Sequence, residues 1–356
     1  MARLHVSRRL LSVLGIVLLS VPLTAARPSQ RGDPSGGPAK AVRIIQTNAA
    51  VDNAHVIDPS TNKVVGIIND VEIVHGVTSA PDGSRIYLSN EALHTLDVVD
   101  ARTLKVTKRI HLSGRPNNVA ISKDGAKVYV GIAQAPGALD VIDTRSLENV
   151  KTTPVEGAIH NVYVTPDGKY TIAGSIPAST ISIVDTTSDM LVRKIKMSAG
   201  IRPMTFDQNA DGSTKNIYVQ LSGFHGFAVV DFASGKEMRR IEHPPVPGEH
   251  AHTDGLQGAP AHGLGVSPDG KTLWSTSKVY SHAYVFSLPD LTPLGHVFAG
   301  QHPEWVAFTP DSKYVYIGAA GDNMTFAIDV QTRKEVARIP VGQVPKRVAM
   351  AILQTN

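Results

Sequence analysis

The sequence predicts an all-β fold, a seven-bladed β-propeller with 3+1 strand closure of its N- and C-terminal ends. Three observations support this prediction. An apolar pair followed by Asp or a close variant recurs seven times, a Pro-Asp-Gly turn or a variant recurs six times, and four of the five gaps between those turns span 42 to 44 residues. A period of this size is typical of a propeller blade of four strands.

The beginning of the chain predicts export. Residues 1–26 place Arg3, Arg8 and Arg9 before an apolar run that ends in small residues, which is typical of a signal peptide, and both Sec and twin-arginine export stay open. Residues 27–40 are rich in Pro, Gly and Ser, which predicts a flexible leader, and residues 41–356 form the propeller. We therefore expect a periplasmic or secreted monomer with no transmembrane segment once the signal is removed.

Composition narrows the chemistry that the protein can use. Hydrophobic residues make up 42% and charged residues 19% of the 356 residues, which predicts a globular protein with a large core. A formal net charge of +4 supports nucleic-acid binding only weakly. Because the chain has no cysteine, any metal must be held by His, carboxylate or amide groups.

Each repeat predicts one blade with strands A, B, C and D. The apolar-Asp motif marks strand C and occurs at Asp58, Asp100, Asp143, Asp185, Asp231, Ser287 and Asp329. The turn between strands A and B contains Asp82, Asp124, Asp167, Asp211, Asp269 and Asp311. We interpret these aspartates as turn residues, and no segment shows the apolar stripe of a helix.

The ends of the repeat array predict how the ring closes. The array starts on a strand B at residues 43–46 and ends on a strand A at residues 345–350. The last strand can therefore complete the first blade, which removes the open sheet edges.

These motifs resemble those of the YVTN-repeat, YncE-like propeller family over residues 41–353. The resemblance rests on the Val-Ile-Asp-x-x-Thr runs and on the Pro, Val-Ala, Ser and Asp-Gly of residues 114–125. It implies the propeller fold. For function it implies a wide choice, because similar propellers include periplasmic and surface-layer proteins, relatives of the haem d1 nitrite reductase propeller, lactonases and proteins suggested to bind single-stranded DNA.

The candidate site lies at the mouth where the D-to-A and B-to-C connections meet. Strand A is innermost, so its first residue should stand at the rim of the channel. Counting seven residues back from each turn places His75, Asn117, His160, Met204, His262 and Glu304 there, with Lys346 on the closing strand. Three imidazoles and a carboxylate suit Cu, Zn or Fe, so His75, His160, His262 and Glu304 are candidate metal ligands, and His262 and Glu304 are also candidate catalytic residues. Alternatively, the histidines face different neighbours and never converge.

Further polar residues should reach the same mouth. Candidate ligand-binding residues are Arg115, Asn117, Arg202, Lys346, His94, His225, His282, His302 and, in a long insertion at residues 242–260, His250 and His252. Cations beside histidines favour a small anionic ligand. The insertion is predicted to act as a lid or ligand arm.

Three functions follow from these residues. The first is a binding module whose His-rich mouth takes a small anionic ligand or a periplasmic protein partner. The second is a metal-dependent enzyme or metal-cofactor protein that uses the three-His/Glu site. The third is a lactonase-like hydrolase, with His262 as base and Arg115 or Arg202 holding a carboxylate.

Overall fold

The computed structural model describes residues 38–355, which form 28 β-strands in seven four-stranded antiparallel sheets. The prediction of a seven-bladed all-β propeller is confirmed, and no helix occurs in this part of the chain. It therefore contains no helix that is long and apolar enough to cross a membrane. The predicted signal peptide and nearly all of the predicted leader lie outside the described residues.

The strands are numbered in chain order, and each blade contains four. Blade 1 contains β1 (Lys40–Asn48), β2 (Asn53–Asp58), β3 (Lys63–Asn69) and β28 (Pro345–Gln354). Blade 2 contains β4 (Val74–Ser79), β5 (Arg85–Asn90), β6 (Thr95–Asp100) and β7 (Val106–His111). Blade 3 contains β8 (Pro116–Ile121), β9 (Lys127–Ile132), β10 (Ala138–Asp143) and β11 (Glu148–Pro154). Blade 4 contains β12 (Ile159–Val164), β13 (Tyr170–Ser175), β14 (Thr180–Asp185) and β15 (Met190–Lys196).

The remaining blades follow the same plan. Blade 5 contains β16 (Ile201–Gln208), β17 (Thr214–Leu221), β18 (Gly226–Asp231) and β19 (Glu237–Glu242). Blade 6 contains β20 (Ala261–Val266), β21 (Thr272–Ser277), β22 (His282–Ser287) and β23 (Pro293–Phe298). Blade 7 contains β24 (Pro303–Phe308), β25 (Tyr314–Ala319), β26 (Met324–Asp329) and β27 (Lys334–Pro340).

Blade 1 closes the ring. Its inner strand β28 pairs antiparallel with β1, with Ile44 opposite Met350 and Gln46 opposite Val348. The closing strand is thus the last of the chain, as the repeat order predicts. Pairing along the whole blade leaves no inner edge open to another chain.

Apolar contacts between neighbouring blades form the core. Between blades 1 and 2, Ile45, Val56, Val74 and Leu88 are buried in one cluster, and equivalent clusters follow around the ring. Each strand alternates between its two faces, so every sheet offers apolar side chains to both neighbours. The core is therefore a ring of blade interfaces, which leaves the axis to other side chains.

The aspartates of the repeats act as turn residues. In blade 2, Oδ1 of Asp82 accepts hydrogen bonds from the backbone and side chain of Ser84, and Oδ1 of Asp100 accepts from the backbone of Thr103. These bonds close tight turns and occupy the carboxylates. The prediction that the repeated aspartates are structural is confirmed at both positions.

Every inner strand carries a β-bulge at its mouth end. In blade 2 the register shifts between Val74 and Val77, so that His75 and Gly76 lie opposite one residue of β5. The same shift occurs at the start of β8, β12, β16, β20, β24 and β28. A bulge re-aims the extra side chain, so each blade offers two consecutive positions to the axis.

Candidate functional site

The bulges arrange two rings of residues around the channel. The first position of each bulge forms the rim ring, which contains His75, Asn117, His160, Arg202, His262, Glu304 and Lys346. The second position forms the inner ring, which contains Gly76, Asn118, Asn161, Pro203, Gly263, Trp305 and Arg347. All seven rim residues are polar or charged, as expected for a site and not for a core.

The structure corrects one member of the predicted column. Met204 is 1% exposed and packs with Ile201 and Ile217 between blades, whereas Arg202 occupies the rim position of blade 5. The count of seven fails here because β16 is two residues longer than its equivalents in blades 2, 3, 4, 6 and 7. Arg202 is therefore a full member of the ring.

Glu304 is the centre of the more buried half of the rim. Its side chain is 1% exposed, and Oε1 accepts hydrogen bonds from the Nζ atoms of Lys278 and Lys346, both at 2.8 Å. Oε2 lies 2.5 Å from Nδ1 of His262, although the contact lacks the alignment of a hydrogen bond. Burial raises the pKa of Glu304, but His262 and the two lysines lower it by a larger amount. The pKa therefore lies well below its usual range, and the carboxylate is ionised.

Glu91 is the centre of the opposite half. It directly follows β5, and its carboxylate lies 2.8 Å from Nδ1 of His75 and 2.9 Å from Nη1 of Arg115. The amide of Asn117 donates a further hydrogen bond of 3.1 Å. Burial raises the pKa of Glu91, but His75 and Arg115 outweigh it and the net pKa is lowered. This carboxylate is also ionised, and both of its oxygens contact neighbouring side chains.

Arg347 spans the axis between the two halves. It is 4% exposed, and its Nη2 donates to Oδ1 of Asn117, to the carbonyl of His160 and to Oδ1 of Asn161 at 3.0 to 3.3 Å. Its guanidinium carbon lies 4.1 Å from the centre of the Trp305 ring, a cation–π contact. Burial lowers the pKa of Arg347 to about 10, so it stays charged at neutral pH.

The three rim histidines differ in the groups that face Nδ1. Because Oδ1 of Asn161 accepts from Arg347, its amide nitrogen is the group that donates to Nδ1 of His160 at 2.7 Å. Burial lowers the pKa of His160 well below its usual value, so this neutral ring carries its proton on Nε2. Nδ1 of His75 and Nδ1 of His262 instead lie 2.8 and 2.5 Å from carboxylate oxygens, and burial lowers the pKa of His262 to about 3, so that ring is neutral.

The candidate metal ligands therefore do not form one chelate. The rings of His160 and His262 lie 5.9 Å apart, whereas His75 belongs to the Glu91 half. Glu304 is occupied by His262 and two lysines. Within residues 38–355 no three His, Asp or Glu side chains are placed to hold a metal ion together.

The insertion at residues 242–260 packs against the mouth. The backbone N–H of His252 donates to the carbonyl of Val279, and Nη2 of Arg202 donates to the carbonyl of Gln257 at 2.8 Å. The ring of His302 packs against Gly255 and lies 6.4 Å from that of His252. His252 and His302 thus lie at the edge of the site, and His250 and His252 are both exposed on the insertion.

Three predicted histidines are not brought to the rim. His94 is exposed in a turn. His225 packs against His243, Tyr280 and Tyr284, while His282 contacts His296 and Phe298 near the outer strand of blade 6. The B-to-C connections do lie at the mouth end, but these side chains belong to the outer part of blades 2, 5 and 6, away from the axis.

Four important residues were missed by sequence reasoning. Arg347 and Trp305 follow predicted rim residues, and only the bulge brings them to the axis. Glu91 and Lys278 directly follow strand B in blades 2 and 6, where the other blades carry Ala49, Ala133, Ile176, Ser222 and Ala320. A comparison of that single position across the repeats would have found both charges.

Comparisons with known proteins support the propeller class. A family model described as the Cytochrome D1 heme domain matches residues 43–165, about a third of the chain, and this region contains His75, Glu91, Arg115, Asn117 and His160. No curated protein matches the sequence. The more specific resemblance to YVTN-repeat, YncE-like propellers stays a prediction.

Solved structures share the fold at low identity. The Kuenenia stuttgartiensis hydrazine synthase matches with a TM-score of 0.64 and 23% identity over 76% of this chain and 87% of that one. A putative 6-phosphogluconolactonase from Bacteroides fragilis matches with a TM-score of 0.70 and 18% identity over 90% and 100%. The dihydro-heme d1 dehydrogenase NirN, in complex with DHE, matches with a TM-score of 0.59 and 15% identity over 86% and 74%. At these identities the similarity shows the fold alone.

Proposed function

We propose that the protein is a binding module that holds an anionic ligand with several carboxylates in its axial mouth. The observation that supports this most directly is the charge balance of the site. Five basic residues, Arg115, Arg202, Lys278, Lys346 and Arg347, surround two carboxylates, Glu91 and Glu304. Because both glutamates are ionised and supply only two negative charges, the site keeps an excess of positive charge.

That excess is available to a ligand. Glu304 and Glu91 already accept from the groups around them, so neither can neutralise Arg202 or Arg347. Arg202 donates to the hydroxyl of Ser222 and to the carbonyl of Gln257, and Arg347 donates to neutral oxygens. Charge-assisted hydrogen bonds to carboxylates are stronger than bonds to such neutral acceptors. An anion at the mouth would therefore stabilise the cations that the protein leaves unpaired.

The ligand that we propose is an iron tetrapyrrole of the haem d1 type. Its carboxylates match the basic residues, and the family match covers the half of the mouth that contains His75. Nδ1 of His75 is held by Glu91 and its side chain is 19% exposed, which leaves Nε2 accessible as an iron ligand. His160, with its proton on Nε2, would instead donate a hydrogen bond. The iron would supply redox chemistry when bound.

Titration of the purified chain with haem d1, and in parallel with iron protoporphyrin IX, tests this proposal. We expect saturable binding that Lys346→Gln weakens about tenfold, since one charge-assisted bond is lost. His75→Ala should change the absorption spectrum of the bound haem more than its affinity. Lys334→Gln removes an exposed lysine on β27 and serves as the matched control. Equal haem affinities in Lys346→Gln and Lys334→Gln, or no saturable binding, would contradict the proposal.

Lactone hydrolysis is a second candidate, favoured by the pairing of His262 with Glu304. An imidazole whose Nδ1 faces a carboxylate presents Nε2 as a general base, and burial keeps it neutral by lowering its pKa. Arg202 would hold the carboxylate that forms when water opens the lactone ring. Hydrolysis of gluconolactone should then be abolished by His262→Gln and kept by His94→Gln. Hydrolysis at the same rate in both variants would rule this candidate out.

A further inference from the structure

A second cavity lies on the axis below the two rings. It has a volume of about 480 Å³, and its walls come from the inner strands of all seven blades. Its lining includes Asn118, Trp305 and Arg347 of the inner ring but no residue of the rim ring. The cavity therefore approaches the axis from the face of the Asp-Gly turns, and Arg347 and Trp305 lie between it and the mouth.

The closed end of this cavity presents hydrogen-bond donors without acceptors. Nε of Arg347 is buried and has no hydrogen-bond partner, and the same is true of Nε1 of Trp305. Among the described residues no carboxylate forms an ion pair with Arg347, whose bonds through Nη2 all go to neutral oxygens. A buried donor or charge without a partner costs free energy, so an acceptor with negative charge fits this end.

The walls of the cavity have a different character. They are mostly apolar, with Val77, Val164, Phe206 and Phe308 among the lining residues. Lys123 is the one charged lining residue apart from Arg347. A ligand in this space would need a charged end at Arg347 and an apolar body, because a second carboxylate between Arg347 and Lys123 would be surrounded by apolar walls.

We propose that the lower channel is a separate binding site for a monocarboxylate with an apolar body. The ligand enters from the face of the Asp-Gly turns. Its carboxylate accepts hydrogen bonds from Arg347 and Trp305, and its body packs between the valine and phenylalanine side chains. This site differs from the mouth in position, in face and in ligand charge, and Arg347 is the one residue that the two proposals share.

Isothermal titration calorimetry with hexanoate tests the proposal, with hexanamide as the uncharged probe of equal shape. We expect hexanoate to bind about tenfold more tightly than hexanamide, since only hexanoate forms charge-assisted bonds with Arg347. Arg347→Gln should remove that preference. Lys334→Gln, which removes an exposed lysine on the outer strand β27, is the matched control and should keep it.

A second variant serves in case Arg347→Gln does not fold. Thr78 lines the channel on β4, so Thr78→Phe narrows the apolar part without changing the cation. It should abolish hexanoate binding while leaving haem binding at the mouth unchanged. Three results would overturn the proposal: equal binding of hexanoate and hexanamide, no saturable binding of hexanoate, or loss of binding in Lys334→Gln but not in Arg347→Gln or Thr78→Phe.

Discussion

Glu304→Gln is the substitution that should affect stability most clearly. It keeps the shape of the side chain but removes the charge that compensates Lys278 and Lys346. Lys278 is 2% exposed, so its ammonium would stay buried without a counter-ion. Removing one partner of a buried ion pair costs about 3–5 kcal/mol, and the amide oxygen of Gln can still accept one hydrogen bond, which places the expected loss near the lower figure, about 3 kcal/mol.

Equilibrium unfolding in urea, followed by far-UV circular dichroism, measures this loss. Lys278→Met/Glu304→Gln removes the stranded ammonium as well and should recover about 1–3 kcal/mol relative to Glu304→Gln. Glu156→Gln is the matched control, because its pairs with Lys194 and Lys196 are exposed to solvent and contribute little to stability. If Glu304→Gln costs no more than Glu156→Gln, the buried charge cluster does not have the energetic role assigned to it.

Two further predictions concern acid stability and the insertion. Burial lowers the pKa of His225 to about 4. Burial and the neighbouring His225 lower the pKa of His243 well below 6.5. Below pH 6.5 these two histidines therefore bind more protons in the unfolded chain than in the folded one. The free energy of unfolding should therefore fall by about 1 kcal/mol for each histidine between pH 6.5 and 5.5. Urea unfolding of His243→Phe should show a smaller fall. A rise in stability on acidification would refute this. Arg202→Ala removes the bond to the carbonyl of Gln257, so limited proteolysis of the insertion should become faster, whereas Arg193→Ala, which loses backbone contacts elsewhere in blade 5, should leave the rate unchanged. Equal cleavage rates in the two variants would show that Arg202 does not hold the insertion.

The number and order of the blades could be predicted because each blade repeats the same turn chemistry. Asp82 and Asp100 recur in equivalent form along the chain, and the bonds that they accept are local. The closing strand was predictable for the same reason, since the last repeat stops after strand A. Local rules that are repeated seven times determine this part of the fold.

The site was only partly predictable because it depends on a deviation from regular strand geometry. An even alternation of side chains would turn Arg347 and Trp305 away from the axis if Lys346 and Glu304 face it. The bulge breaks that alternation, and the sequence of a single strand contains no feature that predicts the bulge. A fixed count also failed in blade 5, where the longer β16 moves the rim position from Met204 to Arg202.

The histidines show a second limit of prediction from the sequence. Composition and spacing bring His75, His160 and His262 to one mouth, but their tautomers depend on partners that lie far away in the sequence. Asn161 is oriented by Arg347, which lies on the last strand, and this contact decides which nitrogen of His160 carries the proton. Long-range hydrogen bonds of this kind determine the chemistry of a ring, and sequence spacing does not contain them.

The closing strand gives the assembly of the site a definite order in time. Lys346 and Arg347 both belong to β28, which is synthesised after the strands of blades 2 to 7. At that stage Glu304 still lacks its contact with Lys346, and Arg347 does not yet separate the mouth from the lower channel. Until that strand docks, the glutamate lacks one counter-ion and the two ends of the axis are not divided. The binding that we propose for the mouth and for the lower channel therefore requires the pairing of β28 with β1, which joins the two ends of the described residues in one blade.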